Sequence, residues 1–94
     1  MRFVWDEAKN RANKAKHGLS FELAKLVFSD PLHLSLPDRH EHGEERWLTT
    51  GLVGPAALTV VVHTYVEQDG EEIVRIISAR RATKRERARY EEGS

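Results

Sequence analysis

The chain contains no cysteine, which excludes disulfides and thiolate metal sites and suits a reducing compartment. It also lacks any apolar run long enough to span a membrane, and its first residues, MRFVWDEAKN, lack the apolar core of a secretory leader. The expectation is a soluble cytoplasmic protein with no membrane partner. There is no excess of charge either. Lys and Arg number 15 and Asp and Glu 15, for a formal net charge of +0, which argues against a generally adhesive polycation. No internal repeat, linker or low-complexity tract divides the 94 residues, so a single domain over residues 1–94 with a small core is expected.

What the chain does have is charge sorted into blocks. Residues 9–16 and 75–89 are basic, whereas 38–45 and 67–72 are mostly acidic, so one face can attract an anion and another a basic partner. The densest block lies in residues 72–90, EIVRIISARRATKRERARY. Ile73, Val74, Ile76 and Ile77 suit a buried strand, which ends in Arg80 and Arg81. Thr83 and Glu86 have capping-box spacing, so a helix is expected to begin there. Arg75, Arg80, Arg81, Lys84, Arg85, Arg87 and Arg89 are opposed only by Glu72, Glu86, Glu91 and Glu92. Guanidinium groups at a strand end and along a helix suit a surface that holds phosphate.

The remaining elements follow from period and punctuation. Residues 2–5 read as a short strand, and Asp6 caps a helix running to about Lys16, with Ala8, Ala12 and Ala15 on its buried stripe and Asn10 and Asn13 facing elsewhere. Gly18 is the left-handed residue after that helix, and Ser20 caps a second one. That second helix buries Phe21, Ala24, Val27 and Phe28 and stops at Asp30-Pro31. Leu32, Leu34 and Leu36 alternate as a strand ended by Pro37, and residues 38–43 read as a polar loop. Strands at 44–53, 57–66 and 73–80 are joined by turns at Gly54-Pro55 and Asp69-Gly70. The order is a short strand, two helices, a four-stranded antiparallel meander and a C-terminal helix, an α+β domain.

Three stretches in this order, FVWDEAKNRANKAKHGLSFELAKLVFSDP, GEERWLTTG and RIISARRATKRERARY, resemble the BrnT family of bacterial type II toxins over nearly the whole chain. The resemblance implies a RelE-like fold, endoribonuclease activity on an RNA substrate, and neutralisation by a BrnA-like antitoxin that also binds DNA. DNA would then be reached only through the antitoxin.

Metal-independent RNA cleavage uses the substrate's own 2′-hydroxyl as nucleophile. The protein must align it, stabilise charge on the phosphate and help move protons, with no cofactor. Arg80 is the first candidate for the phosphate, with a salt bridge to a carboxylate on a neighbouring strand as the other reading. Arg46 is the second. Glu45, next to it, alternates to the other side of the pleat unless a bulge intervenes, and is a catalytic or a merely solvated carboxylate. His17 is a proton-transfer group or a residue closing a helix end, and Tyr90 reaches the site or packs the last helix on the sheet. His63 reads as a sheet-surface residue. Lys16, Arg81, Lys84, Arg85 and Arg87 form an RNA track, or part of an antitoxin dock or a solvated face. Trp5 reads as core, and Trp47 as core or as a base-stacking surface.

Two other functional classes compete. A non-catalytic RNA- or protein-binding module would use the same basic surface without cutting. A metal-dependent hydrolase would use His40, Glu41 and His42, with His33 and Asp38 nearby, although that spacing matches no zinc signature and the expectation is no metal.

Overall fold

The computed structural model describes residues 1–55 and 57–93, with the side chain of Glu41 outside that description. β-Branched residues build the centre of the sheet. β4 (Ala57–Gln68) and β5 (Glu71–Arg81) form a hairpin across Asp69 and Gly70, both at positive φ, as a tight primed turn demands. β3 (Glu44–Val53) pairs antiparallel with β4, and β2 (Leu34–Glu41) with β3. β1 (Arg2–Val4) runs parallel to β5, giving one five-stranded sheet in the order β1-β5-β4-β3-β2. The expected meander is present, and the N-terminal strand extends it.

Between β1 and β2 lie α1 (Glu7–His17), α2 (Phe21–Ala24) and a 3₁₀ turn, Lys25–Ser29, all on one face of the sheet. Asp6 and Ser20 cap the two helices through their side chains, and Gly18 ends α1 at φ 73°. Phe21, Ala24 and Val27 pack on Val53, Val61, Val74, Ile76 and Ala79, with Phe3, Trp5 and Phe28 at the margin. The 3₁₀ turn comes so close to β3 that a Cβ on Gly51 would lie 2.9 Å from the Val27 carbonyl oxygen. α3 (Lys84–Glu92) starts at the Thr83–Glu86 capping box and packs back against β3. The Tyr90 hydroxyl donates to Asp30 Oδ2 at 2.6 Å, and the same oxygen accepts the Leu52 amide at 2.8 Å. Asp30 therefore ties the end of the helical layer to both β3 and α3. Burial works against its carboxylate, but hydrogen bonds from Tyr90, Leu52 and Leu32 hold it below its ordinary range.

Several expectations are corrected. Pro37 does not end β2, and residues 38–43 are not a loop. The strand runs on to Glu41, and the register shifts between Pro37 and His40, a bulge that accommodates proline on an edge strand. His42 and Gly43, both at positive φ, then turn the chain into β3. Leu32 stands exposed in the turn before β2. On α1 the faces are reversed: Ala8, Ala12 and Ala15 are exposed, while Asn10 and Asn13 are 4% and 7% exposed. The reason is hydrogen bonding. β1 covers β5 only from Ile73 to Arg75, so further along that edge the Ala79 backbone needs another partner. Asn13 supplies it, donating to the Ala79 carbonyl at 2.9 Å and accepting the Ala79 amide at 3.1 Å. Asn10 accepts the Phe21 amide and donates to Glu7 and Glu22.

His63 is not a sheet-surface residue either. It is 4% exposed, stacks edge-on against Phe28 and lies within 2.6 Å of Thr49 Oγ1 through Nε2. Burial lowers its pKa from the ordinary 6.5, with a bond to the Thr64 carbonyl opposing the shift. A neutral ring in the folded state favours folding above the unfolded value and loses that advantage as pH falls below it.

Removing the Asn13 clamp by Asn13→Ala strands two buried backbone groups and should lower the unfolding free energy by about 2–3 kcal/mol in denaturant titrations. Ala12→Ser, on the exposed face, should change it by less than about 0.5 kcal/mol. Between pH 7 and 5 the wild-type melting temperature should fall more steeply than that of His63→Gln, because only the wild type carries the depressed imidazole.

Candidate active site

Strand register sorts the arginines. Val61 and Ala79 face the helical layer and pair with each other, so their neighbours Val60 and Arg80, also paired, face the opposite side. Val60 in turn pairs with Thr50, and Thr50 with Leu34, which marks one row across this second face. The next row runs Ser78, Val62, Leu48, Leu36. Arg46 alternates with Leu48 and Thr50, so it shares the face with Arg80 but stands about 13 Å along β3 from Arg80's row. Arg75, paired with Thr64, lies toward Arg46 and is held by Glu44. Half-buried Leu36, Leu48 and Val62 form the floor between the two ends. α3 returns over the Arg80 end, where Leu58 and Val60 are buried.

Arg80 is fixed from two directions. Its Nη1 and Nη2 donate to Glu86 Oε1 and Oε2 at 2.8 and 3.0 Å, and Nη1 also donates to the Arg81 carbonyl at 3.3 Å. The sequence reading allowed a salt bridge to a neighbouring strand; the partner is instead on the helix that follows. Glu86 completes the capping box as well, accepting the Thr83 amide at 2.8 Å through Oε1 while its own amide donates to Thr83 Oγ1 at 3.2 Å. The Arg80 hydrogen bond, opposed by desolvation and aided by Thr83, brings the Glu86 carboxyl down to about 2.

The other candidates divide around this face. Lys16 and His17 end α1 and line a shallow groove with Ile77 and Ser78, next to Arg80 along β5. Glu45 is exposed and alternates with Arg46 to the helix-bearing face, with no bulge in β3 to bring the two together. Tyr90 is buried, its hydroxyl engaged by Asp30, and that bond together with burial pushes its pKa up to about 12. Arg81 pairs with Thr59, alternates away from Arg80 and is exposed, as are Lys84, Arg85 and Arg87 on α3. Trp47 pairs with His63 and lines a cavity of about 280 Å³ on the helix-bearing face with Phe28, His33, Ser35 and Tyr65. Trp5 is half-buried and stacks edge-on against Phe21. His40 belongs to β2 and His42 to its turn, Glu41's side chain lies outside the described residues, and among those residues no three His, Asp or Glu side chains gather as a metal ligand set.

The grip of Glu86 on Arg80 was missed because the pair is six residues apart across a strand end and a helix start, where neither period applies. The capping-box spacing was the available signal, since it fixes where the Glu86 side chain must turn.

Comparison with known proteins agrees with this architecture. No curated protein matches the sequence. The family model described as "Ribonuclease toxin, BrnT, of type II toxin-antitoxin system" matches residues 5–86. Among solved structures, the crystal structure of the Brucella abortus ribonuclease toxin BrnT superposes with a TM-score of 0.68 at 28% identity, covering 89% of this chain and 99% of that one. With a match over nearly its full length and the same α+β arrangement, the chain belongs to the BrnT family of ribonuclease toxins of type II toxin–antitoxin systems.

Proposed function

We propose that this protein is a metal-independent endoribonuclease whose site is the open sheet face between Arg46 and Arg80. The observation that carries the reading is the placement of both arginines on one face, above an apolar floor running from Leu36 through Leu48 to Val62. The 2′-hydroxyl attacks the adjacent phosphorus, the bond to the 5′-oxygen breaks, and a 2′,3′-cyclic phosphate and a 5′-hydroxyl result. Arg80 stabilises the charge gathering on the non-bridging oxygens, and Arg46 holds the chain further along the face. His17 borders the groove beside Ser78 and is the candidate for moving a proton, with Lys16 beside it for backbone contact. Glu45 and Tyr90 take no chemical part in this reading, one facing away and the other bound to Asp30. Exposed Lys84, Arg85 and Arg87, with Arg81 at the border, guide RNA toward the face.

In the same reading a BrnA-like antitoxin neutralises the enzyme by covering this surface, and DNA is engaged only through that partner. The working compartment is the cytoplasm, where the RNA is.

Purified protein incubated with RNA in EDTA should yield fragments ending in 2′,3′-cyclic or 3′-phosphate. Arg80→Ala should lower the cleavage rate on the order of 10²–10³-fold, the cost of losing a preorganised charge donor. Intact RNA with the wild-type protein, or full cleavage by Arg80→Ala, would sink the proposal; binding without cutting would favour the interaction-module alternative.

A further inference from the structure

We infer that Glu86 is a positioning residue for cleavage: it clamps Arg80 so that the side edge of the guanidinium, Nε–H and the outer Nη2–H, is presented to the scissile phosphate. The inference rests on the reading of Arg80 as the phosphate-binding group.

The argument is one of donor geometry. A guanidinium carries N–H groups along an end edge, formed by Nη1 and Nη2, and along a side edge, formed by Nε and Nη2. Glu86 occupies the end edge with both carboxylate oxygens, and the Arg81 carbonyl takes the remaining Nη1 donor. The side edge is therefore the one that these bonds leave over. Two parallel N–H groups on such an edge match two phosphate oxygens.

Glu86 can serve as a clamp because it is itself held. Oε1 accepts both the Thr83 amide and Arg80 Nη1, so the carboxylate cannot rotate without opening the capping box. The helix start, the strand end and the guanidinium thus share one carboxylate. The side chains of Arg80 and Glu86 are 34% and 23% exposed, so the pair is shielded in part while leaving a route for an anion. A negative charge beside a phosphate site opposes binding, so Glu86 contributes orientation rather than attraction. With its carboxyl at about 2, it stays ionised at any working pH.

Glu86→Gln tests this directly. Glutamine keeps an oxygen that can cap Thr83 but turns an amide N–H₂ toward the Arg80 fork. Against a short RNA, kcat should fall on the order of 10- to 100-fold, the effect of a misplaced catalytic group, while KM changes less than about threefold. Ala88→Gly, at an exposed site on α3, weakens the helix without touching the fork and should retain wild-type kcat. In an Arg80→Lys background, which has no edge to orient, Glu86→Gln should cause no further loss. The inference is overturned if Glu86→Gln cleaves within twofold of wild type, if Ala88→Gly loses as much, or if the loss persists undiminished with Lys at position 80. Full activity in Arg80→Ala would instead remove the reading beneath it, and that result is separable from the others.

Discussion

The outer edge of β5 is the constraint on which this architecture depends. A strand edge exposes a row of amides and carbonyls that must find partners. Here the row is divided between two devices. β1 pairs in parallel along Ile73 to Arg75, and the Asn13 carboxamide takes both backbone groups of Ala79. The second device fixes α1 against the sheet, and Asn10 fixes α2 to α1 in the same way. The N-terminal helical layer is thus placed by two asparagines, with its apolar core closing over Phe21, Ala24 and Val27.

That placement makes the two faces of the sheet unlike. One receives the helical layer and carries the core, the buried His63 with Thr49 and Ser35, and the cavity beside Trp47. The other receives α3 at its Arg80 end. Alternation along β3 sends Arg46 to this second face and Glu45 away from it, and on β5 the extra residue at Ile77 brings Arg75 and Arg80 to that same face. A one-residue shift exchanges the faces of a strand, and β5 makes such a shift at Ile77, opposite Val62–His63, while β2 absorbs its extra residue between Pro37 and His40.

Most elements were legible because their signals are local. Asp6, Gly18, Ser20 and Thr83 announced helix ends, and Asp69-Gly70 announced a hairpin, through chemistry confined to a few residues. The failures arise where the assembled sheet, rather than a local signal, decides. Ala8, Ala12 and Ala15 looked like a buried stripe, and nothing local says that Asn13 will be needed by Ala79, 66 residues away. Pro37 looked like a strand end, yet on an edge strand its missing donor faces solvent and costs little. The geometry of the candidate site was open to sequence reading only in part. Arg80 stood out by ending a strand, whereas its partner could be found only once the turn into α3 was built.

The balance of charge also takes on a physical meaning. Arg75 of the C-terminal basic block pairs with Glu44 of one acidic block, Arg2 pairs with Glu71 of the other, and Arg80 pairs with Glu86 inside its own block. Such pairs weaken the long-range field of the arginines they engage. What they leave is orientation: a guanidinium with one edge tied to a carboxylate offers the other at a fixed angle. In the proposed reading, long-range attraction for a polyanion falls to the exposed cations Lys84, Arg85 and Arg87, which salt screens, while discrimination at the phosphate falls to the tethered Arg80. In that reading recruitment and positioning are carried by different residues, and raising the salt concentration should weaken the first far more than the second.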